Sequence, residues 1–500
     1  MTTTRLARND RLFTNRRIMS RGLTGKMSAV SLAAASTVLG MDPSTTGLSI
    51  SMRIGLAAAF DQFRILIPNI ASSQVAGITG RAGFPTRMGL FSSGAPTGIT
   101  GAPAATNGGP QSGGNAFAQI FNTTTNDDTR FLPITFGNGG ASATLPAAPD
   151  ATNYQPSWTA SDWLTAPSQP RTAETDGTTG VRPLIDIRLY FPASAGSITI
   201  AGSGSGSDVS QNGWGLLAEN DPTVLSNPGA RGGRGWRSWV ANVDMTQTAN
   251  DNAQWLTPNY TTPASAVAST TPTTLNWTVP IIVQYRSTID AIQVMGGGDS
   301  IWEGIGSTAN FDSFLYKAIR AVHTEQVPVE YCPVVMPGLQ VSGGKQHVPR
   351  AVEALIDLVQ PTLLVVQSAS VNDYNSTQIA WLPYAGPATR GRYQRLALKN
   401  RSKLIVGNFA PTNYTSHAYG SSDSLRVADN SALAADATAN GYQSIDLSSA
   451  FSPSGSTSNG QLQPDASLTL DGIHPNEAGH LALQTPTQAA LASAITDLTT

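Results

Sequence analysis

After residue 285 the chain alternates short apolar runs with helical stripes, and that alternation leaves few folds open. "DAIQVMG" (290–296) reads as a buried strand. "NFDSFLYKAIRAVHTE" (310–325) then places Phe311, Phe314, Leu315, Ile319 and Val322 on one helical face. "PVEYCPVVM" (328–336), "TLLVVQS" (362–368), "KLIVGNF" (403–409) and "YQSIDLS" (442–448) are further strands. Helices are predicted over 348–360, about 388–401 and about 425–440, with a last one from near Pro475. Strands that alternate with helices build a mostly parallel sheet covered on both faces. Such sheets hold their ligands at the carboxyl ends of the strands.

The first half reads differently. "SISMRIGL" (49–56) and "LIDIRLYF" (184–191) alternate with period two, and "FDQFRILIP" (60–68) and "TLNWTVPIIVQY" (274–285) are strand-like. Gly-, Pro-, Thr- and Asn-rich loops such as 92–115 and 202–213 separate them. Residues 46–285 are therefore expected to form an antiparallel β-sandwich, jelly-roll-like. "RGGRGWRSW" (231–239) reads as a basic, aromatic loop. Seven of the nine tryptophans precede residue 285; they are core filler unless exposed, where they would stack on sugar rings.

Composition narrows the function. Charged residues are 12% of the chain, about half the usual share, and the net charge is −2. No electrostatic footprint for nucleic acid is present. Cys332 is the one cysteine, so neither an intrachain disulfide nor a cysteine-based metal site can form. His323, His347 and His417 lack metal-ligand spacing. No apolar run is long enough to span a bilayer. Residues 1–45 carry Arg5, Arg8, Arg11, Arg16, Arg17, Arg21 and Lys26 ahead of a mildly apolar stretch, 27–40. They read as a basic tail or a weak signal-like segment.

The polar groups gather at one edge of the expected sheet. "MGGGDSIWEGIGS" (295–307) puts Ser300 just after the first strand, and its glycines are read as allowing a tight turn. Ser300 is there either a cap or a nucleophile. Asn372 and Asp373 follow the third strand, and Asp471 and His474 precede the last helix. A serine hydroxyl needs a base, which His474 can supply, and Asp471 is near enough to orient the imidazole. Backbone N–H groups of Ser300 and of the glycine turn 343–344, with the Asn372 amide, are candidate oxyanion donors. The competing readings are structural: His474 caps the last helix with Pro475 in its first turn, Asp299 and Asp373 brace loops, and His480 packs.

"GGGDSIWEG", "VSGG", "SVND" and "DGIHPNEAGH", in that order, resemble the four blocks of the SGNH (GDSL-type) hydrolase family over about 288–498. The resemblance implies a flavodoxin-like three-layer α/β/α fold and ester hydrolysis with no cofactor and no metal. It makes Ser300 the nucleophile, His474 the base and Asp471 its partner, with Ser300, Gly343 and Asn372 as the oxyanion hole. Gly343 is preferred to Gly344 because it directly follows Ser342. Two positions depart from the pattern: Ser370 stands where GxND has glycine, and Ile301 where leucine is usual. Trp302 and Tyr374 are either walls of a substrate pocket or core. The resulting division is a tail (1–45), a β-sandwich that binds carbohydrate in one reading (46–285) and an SGNH hydrolase domain (286–500). The expected function is a serine esterase acting on short acyl groups, acetyl above all, on a carbohydrate. The alternatives are a lipase or lysophospholipase with an apolar groove near Trp302, and a surface or virion protein with a degenerate hydrolase domain. The expected partner is the ester substrate, without nucleic acid or an integral membrane segment. A secreted or cell-surface location fits the enzyme readings, and a virion the structural one.

Overall fold

The computed structural model describes residues 27–31, 37–41, 48–69, 74–84, 130–149, 156–166, 172–173, 181–182, 184–192, 198–202, 235–241, 244, 246–247, 281–287, 289–307, 313–335, 340–341, 347–373, 382–413 and 423–499. The chain divides into two compact units, a first, Val30–Tyr285, and a second, Arg286–Thr500 with the segment up to Ala29.

The first unit is built from antiparallel strands. Leu184–Phe191 lies between Leu48–Gly55 and Val75–Phe84, with Leu189 opposite Ile50 and Gly80. Arg130–Ile134 extends this sheet on one side and Gly235–Ala241 on the other. The segment read as a basic loop, 231–239, thus carries an edge strand from Gly235 onward. Phe60–Asn69 belongs to a second sheet, antiparallel to Ser157–Ala160. Phe63 of that sheet meets Phe84 of the first edge to face, ring centres 5.5 Å apart. Ile185, Ile187, Leu189 and Phe191 are buried, as their period of two requires, but Arg188 on the opposite face is buried as well. Within the apolar stretch 27–40 lie strand Met27–Ser31, which the division between units splits after Ala29, and most of Thr37–Met41. The latter pairs with Ile198–Gly202.

The second unit holds five parallel strands: β1 (Ile292–Gly298), β2 (Val329–Val335), β3 (Leu363–Gln367), β4 (Lys403–Gly407) and β5 (Gln443–Ile445). Their order across the sheet is 2-1-3-4-5. This is the flavodoxin-like doubly wound order, which reverses between β1 and β3 and opens a crevice there. The helices are α1 (Ser300–Glu303), α2 (Phe314–Val322), α3 (His347–Val359), α4 (Leu382–Asn400), α5 (Asp423–Asn440), α6 (Leu447–Phe451) and α7 (Glu477–Thr499). Helices α2, α6 and α7 pack together, and α3, α4 and α5 form a separate group.

The three glycines of β1 are not a turn. They continue the strand, and close packing explains them. A Cβ on Gly296 would stand 2.7 Å from the Tyr331 ring, and one on Gly298 2.2 Å from Trp302 Cγ. Side chains press on this strand from both faces, so no residue with a side chain fits. Trp302 itself is 1% exposed and joins a core with Phe314, Leu315, Leu447 and Leu483. It therefore does not wall a substrate pocket, because its ring fills the space beside β1 and β4. Among the described residues, no helix is long and apolar enough to cross a membrane.

Candidate active site

β1 ends at Gly298 and the chain turns at once into α1. Asp299 caps this short helix, its Oδ1 accepting from the Ile301 N–H at 3.0 Å. Gly304, in the left-handed region, closes it. Ser300 therefore sits in the first turn of a helix at the carboxyl edge of the sheet, beside the crevice between β1 and β3.

The loop before α7 brings His474 to this serine. Ser300 Oγ and His474 Nε2 are 3.0 Å apart. On the far side of the ring, Nδ1 lies 2.7 Å from Asp471 Oδ2. The Asp471 carboxylate also accepts the backbone N–H groups of Ile473 (2.9 Å) and His474 (2.7 Å) through Oδ1. Partial burial pushes the Asp471 carboxyl up, but the hydrogen bonds from the His474 ring and these two backbone groups outweigh it and hold it below the usual carboxylate range. An ionised carboxylate against Nδ1 fixes the tautomer that carries its proton there, leaving Nε2 as a base toward Ser300.

The loop is braced from behind. The His474 carbonyl accepts from Leu470 N–H at 2.8 Å and from the Thr469 hydroxyl at 3.0 Å. Asn476, not His474, caps α7: its Oδ1 accepts from Gly479 N–H at 3.0 Å. His480 does not face the site. It joins α7 to the start of α2 and to the segment after α1, accepting from Phe314 N–H at 3.3 Å and donating to the Ile305 carbonyl at 3.0 Å.

The "SVND" segment lies across the crevice, in a turn of 3-10 helix (Val371–Asp373). Asp373 braces it: Oδ2 accepts from Ser370 N–H at 2.8 Å and Oδ1 from Val341 N–H at 2.9 Å. Asp299 is buried in a further network. Its Oδ2 accepts from Gln367 Nε2 at 3.0 Å and from the Ser370 hydroxyl at 2.5 Å. Its own N–H donates to Gln367 Oε1 at 3.0 Å. Burial pushes the Asp299 carboxyl up, against the pull of the Ser370, Gln367 and Ile301 donors. Ser370 Oγ in turn accepts from Asn372 N and Nδ2, both at 3.1 Å.

Of the residues singled out in the sequence, Ser300, His474 and Asp471 form one connected chain, and Asn372 is tied through Ser370 to Asp299, the residue before Ser300. Gly343 and Tyr374 lie outside the described residues. Gln367 and the hydroxyl of Ser370 carry bonds that sequence reading did not assign, since their partner lies about seventy positions away and leaves no local pattern. Among the described residues no cluster of histidine, cysteine and carboxylate side chains is arranged to hold a metal.

No protein-family model matches the chain, and no curated protein matches it. Solved structures do align with part of it. A GDSL-like lipase from Bacteroides thetaiotaomicron is 18% identical, with a TM-score of 0.28, over 41% of this chain and 87% of the lipase. A psychrotrophic esterase from Pseudoalteromonas is 12% identical, with a TM-score of 0.30, over 41% of this chain and 98% of its own. An acetylxylan esterase from Geobacillus stearothermophilus is 15% identical, with a TM-score of 0.27, over 40% and 93%. About two fifths of the chain is thus similar, at low identity, to solved lipases and esterases that include GDSL-type proteins.

Proposed function

We propose that the second unit hydrolyses carboxylic esters through an acyl-enzyme on Ser300. The observation that carries this reading is the continuous contact Ser300 Oγ–His474 Nε2 (3.0 Å) and His474 Nδ1–Asp471 Oδ2 (2.7 Å) at the carboxyl edge of the sheet. In this reading His474 takes the hydroxyl proton as Ser300 Oγ attacks the ester carbonyl. The carbonyl oxygen becomes an oxyanion, received by the Ser300 N–H, Gly343 and the Asn372 amide. As the tetrahedral intermediate collapses, the imidazolium returns the proton to the leaving alkoxide. A water, deprotonated by the same imidazole, then attacks the acyl group and releases the acid. Every proton is carried by His474, and no step requires a metal or cofactor.

The substrate we favour is an acetyl or similarly short acyl ester on a carbohydrate. Support for it is the first unit, read as a jelly-roll-like β-sandwich, and the neutral, polar composition of the chain. The lipid alternative called for an apolar groove beside Trp302, and that ring is in the core. A second reading, a surface or virion protein with a closed hydrolase unit, has one observation in its favour: Ser300 is 4% exposed. Against it, the imidazole that meets Ser300 is 21% exposed, so the pair opens to solvent through the base.

The test is hydrolysis of aryl esters from acetyl to decanoyl by the wild type and by Ser300→Ala. Activity that is highest at acetyl and disappears in the variant supports the proposal. A maximum at long chains moves the substrate to lipid. Equal activity in both proteins, or none in either, removes the esterase reading and leaves the structural one.

A further inference from the structure

Ser370 stands where the GxND pattern has glycine, and its buried hydroxyl lies between two residues of the site. A hydroxyl has one proton to give and two lone pairs. Here the direction of each bond is fixed by its neighbours. Asp299 N–H donates to Gln367 Oε1, so the Gln367 amide must turn Nε2 toward Asp299 Oδ2. Oδ2 accepts that N–H, and toward the ionised carboxylate, which has no proton to give, the Ser370 hydroxyl can only donate. With its proton spent on Asp299, Ser370 Oγ presents lone pairs alone to Asn372. The Asn372 side chain must face it with Nδ2 and not with Oδ1. Without that constraint the two ends of an amide are nearly equal in shape.

We propose that Ser370 is a positioning residue of the ester hydrolysis: the chain Asp299–Ser370–Asn372 sets which end of the Asn372 amide serves the developing oxyanion. The proposal rests on the reading of Ser300 as nucleophile and Asn372 as oxyanion donor. An inverted amide would turn Oδ1, a partial negative charge, toward the oxygen that gains charge in the transition state. The substrate carbonyl, nearly neutral, would feel this much less. The effect therefore falls on kcat and spares KM. The hydroxyl accepts the Asn372 N–H, but the turn has other holds. Asp373 holds it through the Ser370 N–H, and Asp373 N–H returns to the Ser370 carbonyl at 3.0 Å.

The experiment uses the full chain and p-nitrophenyl acetate, with Ser370→Ala, Ser370→Thr, Asn372→Ala and the Ser370→Ala/Asn372→Ala pair. Removing one oxyanion donor costs about 10²–10³-fold in kcat, which is the expectation for Asn372→Ala. Ser370→Ala is expected to lose about ten-fold in kcat, a fraction of that donor's effect, with KM nearly unchanged. Ser370→Thr, which keeps the hydroxyl, should recover most of the loss. In the Asn372→Ala background, removal of the hydroxyl should change nothing further. If Ser370→Ala does not fold, Ser370→Gly carries the same expectation. A full kcat in Ser370→Ala beside a depressed one in Asn372→Ala overturns the proposal and leaves the esterase reading intact. So does a loss that persists undiminished in the Asn372→Ala background. A wild type without ester hydrolysis overturns the esterase reading itself, and this proposal with it.

Discussion

Asp471 shows how a half-exposed carboxylate can still be committed to one task. Its side chain is 45% exposed, yet an imidazole and two backbone N–H groups of its own loop converge on it. Asp471→Asn would keep the shape but offer Nδ1 an N–H, forcing the other tautomer and a protonated Nε2. We expect kcat to fall by about 10⁴-fold with the melting temperature nearly unchanged, as steady-state kinetics and thermal unfolding would show. Burial lowers His480 to about 4, from an ordinary 6.5. The unfolded chain therefore binds a proton at His480 that the folded chain refuses. The contribution is fully present above pH 6.5 and is lost as pH falls from there toward 4, to the extent of about 3 kcal/mol. Unfolding titrations between pH 7 and 4.5 should show this slope in the wild type and a flatter one in His480→Gln. The residues of the proposed triad were legible because Ser300, and Asp471 with His474, each lie in a short motif whose chemistry needs no distant partner. Ser370 was legible only as an exception to a pattern. What its hydroxyl does depends on Asp299 and Gln367, which the fold alone brings to it.

At the level of elements, the site depends on two close approaches. One is the seat of Trp302, T-shaped against Phe314 at 5.2 Å and close over Gly298 and Gly407. Trp302→Ala would leave a cavity between β1, β4 and α2 and cost about 3–5 kcal/mol. A four-residue helix such as α1 has too little periodicity to reveal which way a ring points, which is why Trp302 read equally well as pocket wall or core. The other approach is at Gly306, whose φ is +91 and whose added Cβ would stand 2.1 Å from the Pro475 carbonyl oxygen. Pro475 follows His474 directly, so Gly306→Ala pushes on the loop that carries the proposed base. We expect a loss of about 2–4 kcal/mol in stability and a kcat lowered beyond what the remaining folded fraction explains. Denaturant unfolding and kinetics on the same preparation would separate the two. Most strand and helix positions in this unit followed from periodicity within a few residues, but α4 begins six residues earlier than expected, and the short helices α1 and α6 were not expected. The β1 glycines were misread as a turn because sequence shows small residues without showing what presses on them.

For the molecule as a whole, strand order was the part that periodicity could not supply; only the resemblance of the motif blocks implied the flavodoxin-like order. Alternating strands and helices announced a parallel sheet, but the crossing from β2 back to β3 past β1 depends on how helices pack, and that crossing opens the crevice at the ends of β1 and β3, which Ser300 and Asn372 follow. Cys332, buried in β2, is the one cysteine of the chain. A thiol reagent should therefore react only when this unit opens. Labelling in rising urea should coincide with loss of the proposed ester hydrolysis, whatever the first unit does; early labelling would show that β2 opens by itself. The bond between Ser300 and His474 joins positions 174 residues apart. Closing so long a loop is among the slower events of folding. In a refolding experiment, helix signal would return first and turnover last, so that the lag between them times the arrival of the His474 loop at the Ser300 helix.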